Sequence, residues 1–161
     1  MKLFIEAVNV LGPGLNGWQQ SQPVLREEVT LTSLTMAPVV VQHLPANELR
    51  RMTATLKLSL SVLEELNRAE SVDLAQTATV FASSCGDIEI ACAICQALTQ
   101  PDRPVSPTQF HNSVHNAAAG YWSIALKSHK PSTSISAFDS TFAAGLLEVA
   151  TLALTEQHQA L

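Results

Sequence analysis

The chain has 161 residues, with 9 Lys and Arg against 14 Asp and Glu and a net charge of -5. That balance excludes a nucleic-acid reader, which needs basic surface to neutralise phosphate, and the length allows one domain whose core needs no metal or disulfide staple. Charged residues make up 14% of the chain and hydrophobic ones 47%; ordinary soluble domains carry roughly 25% charge, so a large partner interface is expected to cover the surplus apolar surface.

The first predicted element is a strand over KLFIEAVNV, residues 2–10, ended by the Gly/Pro/Asn break GPGLNG. Glu6 interrupts the apolar start and no small-residue cleavage site follows, so it does not read as a signal peptide. Residues 18–46 are turn-rich, with short extended pieces at VTLTSL and PVVVQHL. From Asn47, expected as a cap, the pattern turns helical: Met52, Leu56, Leu60, Leu63 and Leu66 recur at three- and four-residue steps, with Arg50, Arg51, Lys57, Glu64 and Glu65 mostly off the stripe.

TATVFASS, 77–84, predicts a buried strand. Cys85, Gly86 and Asp87 turn it into IEIACAICQAL, which is apolar almost all round and is expected to be a buried helix. The proline-bearing PDRPVSP, 101–107, precedes a second helical stretch from about Ser113 to Leu126, and SHKP leads to a strand over STSISAF, 132–138. TFAAGLLEVATLAL then carries one charge, Glu148, and is expected to be a central core helix. No run approaches the roughly 18 to 20 apolar residues of a spanning helix, so membrane insertion is not expected and a cytoplasmic location is. Strands and helices alternate at crossover spacing, which predicts an α/β fold with at least part of its sheet parallel.

Cys92, Cys95, His111 and His115 match a zinc spacing, C-x2-C followed by H-x3-H. The two cysteines, however, lie inside a helical pattern with Ala93 and Ile94 between them, where nothing asks for the tight turn of a zinc knuckle. Buried cysteine behaves as a small hydrophobe, so core packing is the reading and neither metal nor cofactor is expected. Three cysteines, counting Cys85, also argue against a disulfide framework. His111 and His115 share a face if their segment is helical, flanked by Asn112 and Asn116. This polar run enters Ala117, Ala118, Ala119 and Gly120, small residues that permit close approach of another backbone. It reads either as a solvated helix start or as a polar element against a partner or a pocket.

Taken together, FASSCGDIEIACAICQAL, VSPTQFHNSVHNAAAGYWSIA and SISAFDSTFAAGLLEVA resemble the first half of a β-ketoacyl synthase. The resemblance extends to the short chain-length-factor subunits of bacterial aryl polyene pigment clusters, and it covers most of the chain. It implies a thiolase-like half-fold, α/β with a mixed sheet and a buried central helix, as one truncated domain over 1–161. In catalytic members a cysteine follows a short core strand and opens a buried helix, whose N-terminus lowers the thiol pKa. Aligning GLLEVA with the family's small-and-apolar run places Ser140 at that position, and neither Asp139 nor Thr141 would restore a thiolate.

The family's active-site histidines come from the second half of its chain, so the resemblance gives their role to neither His111 nor His115. What it implies is a non-catalytic subunit paired with a catalytic ketosynthase in a heterodimer, served by an acyl carrier protein through the complex. The nucleophile strands of the two subunits would pair edge to edge. Phe110, His111, Asn112, His115, Asn116 and Gly120 would line the interface or the neighbour's acyl pocket, and Ser140 would cap its helix. The alternative is a serine-dependent acyltransferase or thioesterase using Ser140 with a histidine such as His111 or His115.

Overall fold

The computed structural model describes residues 2–69, 73–155 and 160–161. The N-terminal stretch 2–10 forms no strand, and Phe4 and Ile5 stand exposed. The predicted strand there is therefore corrected. Apolar composition favours an extended chain, but a strand needs a ladder, and the pairing falls instead on β1 (Leu11–Gly12) and β2 (Leu15–Asn16), an antiparallel hairpin around Pro13 and Gly14. Asn9 anchors the segment by donating from Nδ2 to the Val62 carbonyl at 3.1 Å.

Helix α1 (Trp18–Leu25) follows, with Pro23 inside it. The sequence did not suggest this helix, since an interior proline removes an intrahelical hydrogen bond. VTLTSL and PVVVQHL form no strand. The expected single helix from Asn47 is two: α2 (Ala46–Arg51), entered from Pro45 rather than capped by Asn47, and α3 (Ala54–Ala69). Met52 is extended between them (φ −72°, ψ 142°), and Thr53 restarts the helix by accepting from the Leu56 N–H at 3.2 Å. Met52, Leu56 and Leu60 are buried as their spacing predicted. Glu64 is buried too, because its carboxylate accepts the backbone N–H of Gln42 at 3.0 Å and so fixes the PVVVQHL segment against α3.

The central sheet holds β3 (Thr79–Ala82) and β4 (Ser132–Ile135), which are parallel with Thr79 opposite Ser132 and Ala82 opposite Ile135. Residues 160–161 add a short parallel pairing on the other edge of β3: Val80 N–H donates to the Leu161 carbonyl at 2.7 Å, whereas Thr79 N–H donates to Pro131 on the β4 side. No strand among the described residues pairs with the outer edge of β4.

Successive strand residues point to opposite faces, so the sheet has two coats. On the Phe81 face lies the core of Leu44, Met52, Leu56, Leu60, Leu74, Tyr121 and Trp122, supplied mainly by α3, α6 (Ala117–Leu126) and the residues flanking α2. On the Ala82 face lies α7 (Thr141–Thr155). Gly145 sets that approach: a Cβ there would stand 2.7 Å from the Ala82 Cβ and 3.9 Å from Ile135 Cγ2. The order helix, sheet, helix is the α/β architecture expected.

Two burial expectations are corrected. Of α4 (Ile88–Leu98) only Ile90 is buried, with Ile88, Cys92, Cys95 and Leu98 exposed. Of α7 only Thr141 and Gly145 are buried, while Phe142, Leu146 and Leu147 are exposed. Both helices are apolar all round, yet this chain covers one face of each. Phe138–Thr155 is also long and apolar enough to cross a membrane, which corrects the expectation that no run is. It contains Asp139 and Glu148 and lies against β3 and β4, where Thr133 donates to the Glu148 carboxylate at 3.4 Å.

Candidate functional site

Of the candidate residues, His115 and Ser140 lie where β3 and β4 end, the edge at which parallel sheets place their ligand sites. After β3, Ser83 Oγ accepts from the Gly86 N–H at 2.9 Å and Asp87 caps α4 by accepting from the Ile90 N–H at 3.2 Å. After β4, Ser136 Oγ donates to the Ser84 carbonyl at 3.1 Å, joining the two strand ends. His115 Nε2 lies 2.8 Å from the Ser83 carbonyl. A carbonyl can only accept, so Nε2 carries a proton and the ring is held at the rim as a donor.

The expected helix from Ser113 is corrected. Asn112 belongs to α5 (Pro107–Asn112), capped by Ser106, and His115 lies in the turn before α6. His111 and His115 therefore do not share one helix face. His111 makes an edge-to-face contact with Tyr121 at 6.1 Å between ring centroids, and Phe110 and Asn116 are exposed. Gly120 is exposed, and a Cβ there would meet nothing within 4 Å.

Asn112 is the exception among the predicted lining residues. It is buried, donates from Nδ2 to the Arg51 carbonyl at 2.6 Å and accepts from the Tyr121 hydroxyl at 3.1 Å. Burial raises the Tyr121 pKa above its ordinary value, with the nearby Glu48 charge adding to it and the Asn112 hydrogen bond and Arg51 opposing it.

Ser140 lies in the 3-10 turn Phe138–Ser140 that joins β4 to α7, and its side chain is exposed. Neither His111 nor His115 hydrogen-bonds to it. The turn before α7 is closed by the neighbour of Ser140. The buried Thr141 hydroxyl accepts from the Ala137 N–H at 3.0 Å and donates to the Phe138 carbonyl at 2.7 Å.

The strained residue of this elbow is Phe138, at φ 49°. Sequence reading missed it because phenylalanine gives no signal of a left-handed backbone, a region that bulky side chains rarely enter. No thiol is present in the elbow: Cys85 lies in the loop after β3, and Cys92 and Cys95 are on α4. No group of three or more His, Cys, Asp or Glu side chains converges among the described residues, so the zinc spacing does not correspond to a cluster.

No curated protein matches the chain. A solved structure does: a chain of the ketosynthase (ApeO) in complex with its chain length factor (ApeC) from Xenorhabdus doucetiae superposes with a TM-score of 0.75 at 28% identity, over 93% of this chain and 60% of that one. The chain thus spans 60% of the length of that relative. The family model for the β-ketoacyl synthase N-terminal domain matches residues 18–161, and the chain belongs to the β-ketoacyl synthase family.

Proposed function

We propose that the chain is a non-catalytic partner subunit, a chain-length factor, that pairs with a catalytic ketosynthase. The observation that carries this reading is the β4–α7 elbow, built on a strained backbone and closed by Thr141 yet lacking a thiol. A serine hydroxyl is a weak nucleophile without a base beside it, and among the described residues neither His111 nor His115 hydrogen-bonds to Ser140. Condensation therefore takes place on the partner's cysteine, loaded by an acyl carrier protein, and the products are aryl polyenes made in the cytoplasm.

The surface supports a partner. The outward apolar residues of α7 and Phe110, 66% exposed, have the composition seen at protein interfaces, and among the described residues no strand covers the outer edge of β4. Edge-to-edge pairing through β4 would satisfy the backbone groups left open there. Phe110, His115, Asn116 and Gly120 would face the partner; Asn112 would act behind them, through Tyr121.

The test is a condensation assay with acyl and malonyl carrier-protein substrates. The isolated chain is expected to be inactive and to acquire no acyl adduct by mass spectrometry, whereas the complex turns over with the acyl group on the partner's cysteine. An acyl-serine at Ser140 with turnover by the lone chain overturns the reading.

A further inference from the structure

The two cysteines of the zinc spacing are neither packed in the core nor part of the elbow. Cys92 and Cys95 lie three residues apart in α4, a helix of 11 residues opened by the Asp87 cap, and both thiols are free and exposed. Ala93 and Ile94 between them are half-buried. The helix therefore turns those two inward and presents the cysteines together on its outer face, beside the exposed Ile88. Residues three apart are neighbours on a helix surface, with Cβ atoms about 5–6 Å apart.

That spacing decides what two thiols can do. A disulfide draws its Cβ atoms to about 3.5–4.5 Å, closer than a regular helix holds them, so α4 keeps the pair as a dithiol. A thiolate sulfur binds a metal ion at about 2.3 Å, and two such bonds in line span about 4.6 Å between sulfurs, which side chains at this spacing reach without moving the backbone. The number of donors then selects the ion. Structural zinc takes four ligands, and the histidines that would complete the set are engaged elsewhere, His115 at the Ser83 carbonyl and His111 against Tyr121. Among the described residues no third His, Cys, Asp or Glu joins the two sulfurs. Thiolates favour soft ions such as Cu(I), a monovalent cation that two sulfurs satisfy. We propose that Cys92 and Cys95 form a surface dithiol site for one Cu(I) ion. On binding, each sulfur releases its proton to solvent and forms one bond to copper, which stays Cu(I). The site stands apart from the partner reading.

The experiment titrates Cu(I), without oxygen, into the full chain fused to a cysteine-free carrier for solubility, in competition with a chromophoric Cu(I) chelator. Four forms are compared: unsubstituted, Cys92→Ser, Cys95→Ser and Cys85→Ser. All three side chains are exposed, so circular dichroism should show the same helix content throughout. The unsubstituted chain and Cys85→Ser are expected to take one equivalent of Cu(I) from the chelator, with X-ray absorption showing two sulfur neighbours. Cys92→Ser and Cys95→Ser are each expected to lose that binding. Retention in either of those two variants, or loss in Cys85→Ser, overturns the inference, as does an unsubstituted chain that leaves all the copper with the chelator. A Cys92–Cys95 disulfide that forms readily with glutathione disulfide overturns its geometric premise. Pairing with a ketosynthase is read by a separate measurement, so failure of either reading leaves the other standing.

Discussion

Asn112 and Tyr121 form one buried unit: the Tyr121 hydroxyl donates to Asn112 Oδ1 at 3.1 Å while Asn112 Nδ2 donates to the Arg51 carbonyl at 2.6 Å. This pair ties α5 to α6 and to the end of α2, and so holds the turn bearing His115 in place. Asn112→Ala removes the partner of the buried Tyr121 hydroxyl and of the Arg51 carbonyl and is expected to destabilise the chain by about 1–3 kcal/mol, whereas Tyr121→Phe leaves Asn112 its second bond and costs about 0.5–1.5 kcal/mol. Urea unfolding of both variants tests the order, and a larger loss in Tyr121→Phe would contradict it.

The same pair gives a pH dependence. The folded-state pKa of Tyr121 lies above its ordinary value of 10.0, so the folded chain binds the phenolic proton more tightly than the unfolded chain. This contribution is fully present below that ordinary value and is lost as pH rises through the folded-state pKa. Unfolding free energies measured on the alkaline side should fall more steeply for the unsubstituted chain than for Tyr121→Phe; equal slopes would show that Tyr121 does not contribute.

Gly145 and Ala82 set the distance between α7 and the sheet. With a Cβ at 145 only 2.7 Å from the Ala82 Cβ, Gly145→Ala is overpacked and should cost about 1–3 kcal/mol. Ala82→Gly should recover part of that loss in the double variant, because the two positions touch. Thermal unfolding of the four proteins completes the cycle, and additive effects would contradict direct contact.

Gly120 predicts the opposite trade. A mid-helix glycine costs roughly 0.5–1 kcal/mol relative to alanine, and a Cβ there meets nothing within 4 Å in this chain. Gly120→Ala should therefore stabilise the isolated chain by about that amount. If the partner's backbone approaches there, the same change weakens the complex, as measured by titration calorimetry; tighter pairing would remove Gly120 from the interface.

Much of this arrangement was legible from residue type and spacing. The 77–84 and 132–138 segments gave the two parallel strands, shorter than predicted, and the Met52, Leu56, Leu60 stripe gave the main core. The failures have common physical causes. KLFIEAVNV has strand composition, but composition does not supply a pairing partner, and Pro23 hid α1 because a local penalty was outweighed by the tertiary setting that buries Ser21. Glu64 was placed off the stripe because its charge suggested solvent, whereas it serves the backbone of Gln42. Apolarity all round α4 and α7 suggested burial; it does not say whether the cover belongs to the same chain. Within the site, Ser140 was reached by aligning helices, but the backbone distortion two residues earlier at Phe138 depends on φ, which residue type did not reveal.

The central claim is that this chain is half of a working pair, and the most direct measurement is co-expression with a candidate ketosynthase, purification through a tag on this chain alone, and sizing with mass determination. The account predicts a one-to-one complex, together with poor solubility of the lone chain, whose apolar α7 face and β4 edge would be uncovered. A soluble monomer that leaves the synthase behind would contradict it.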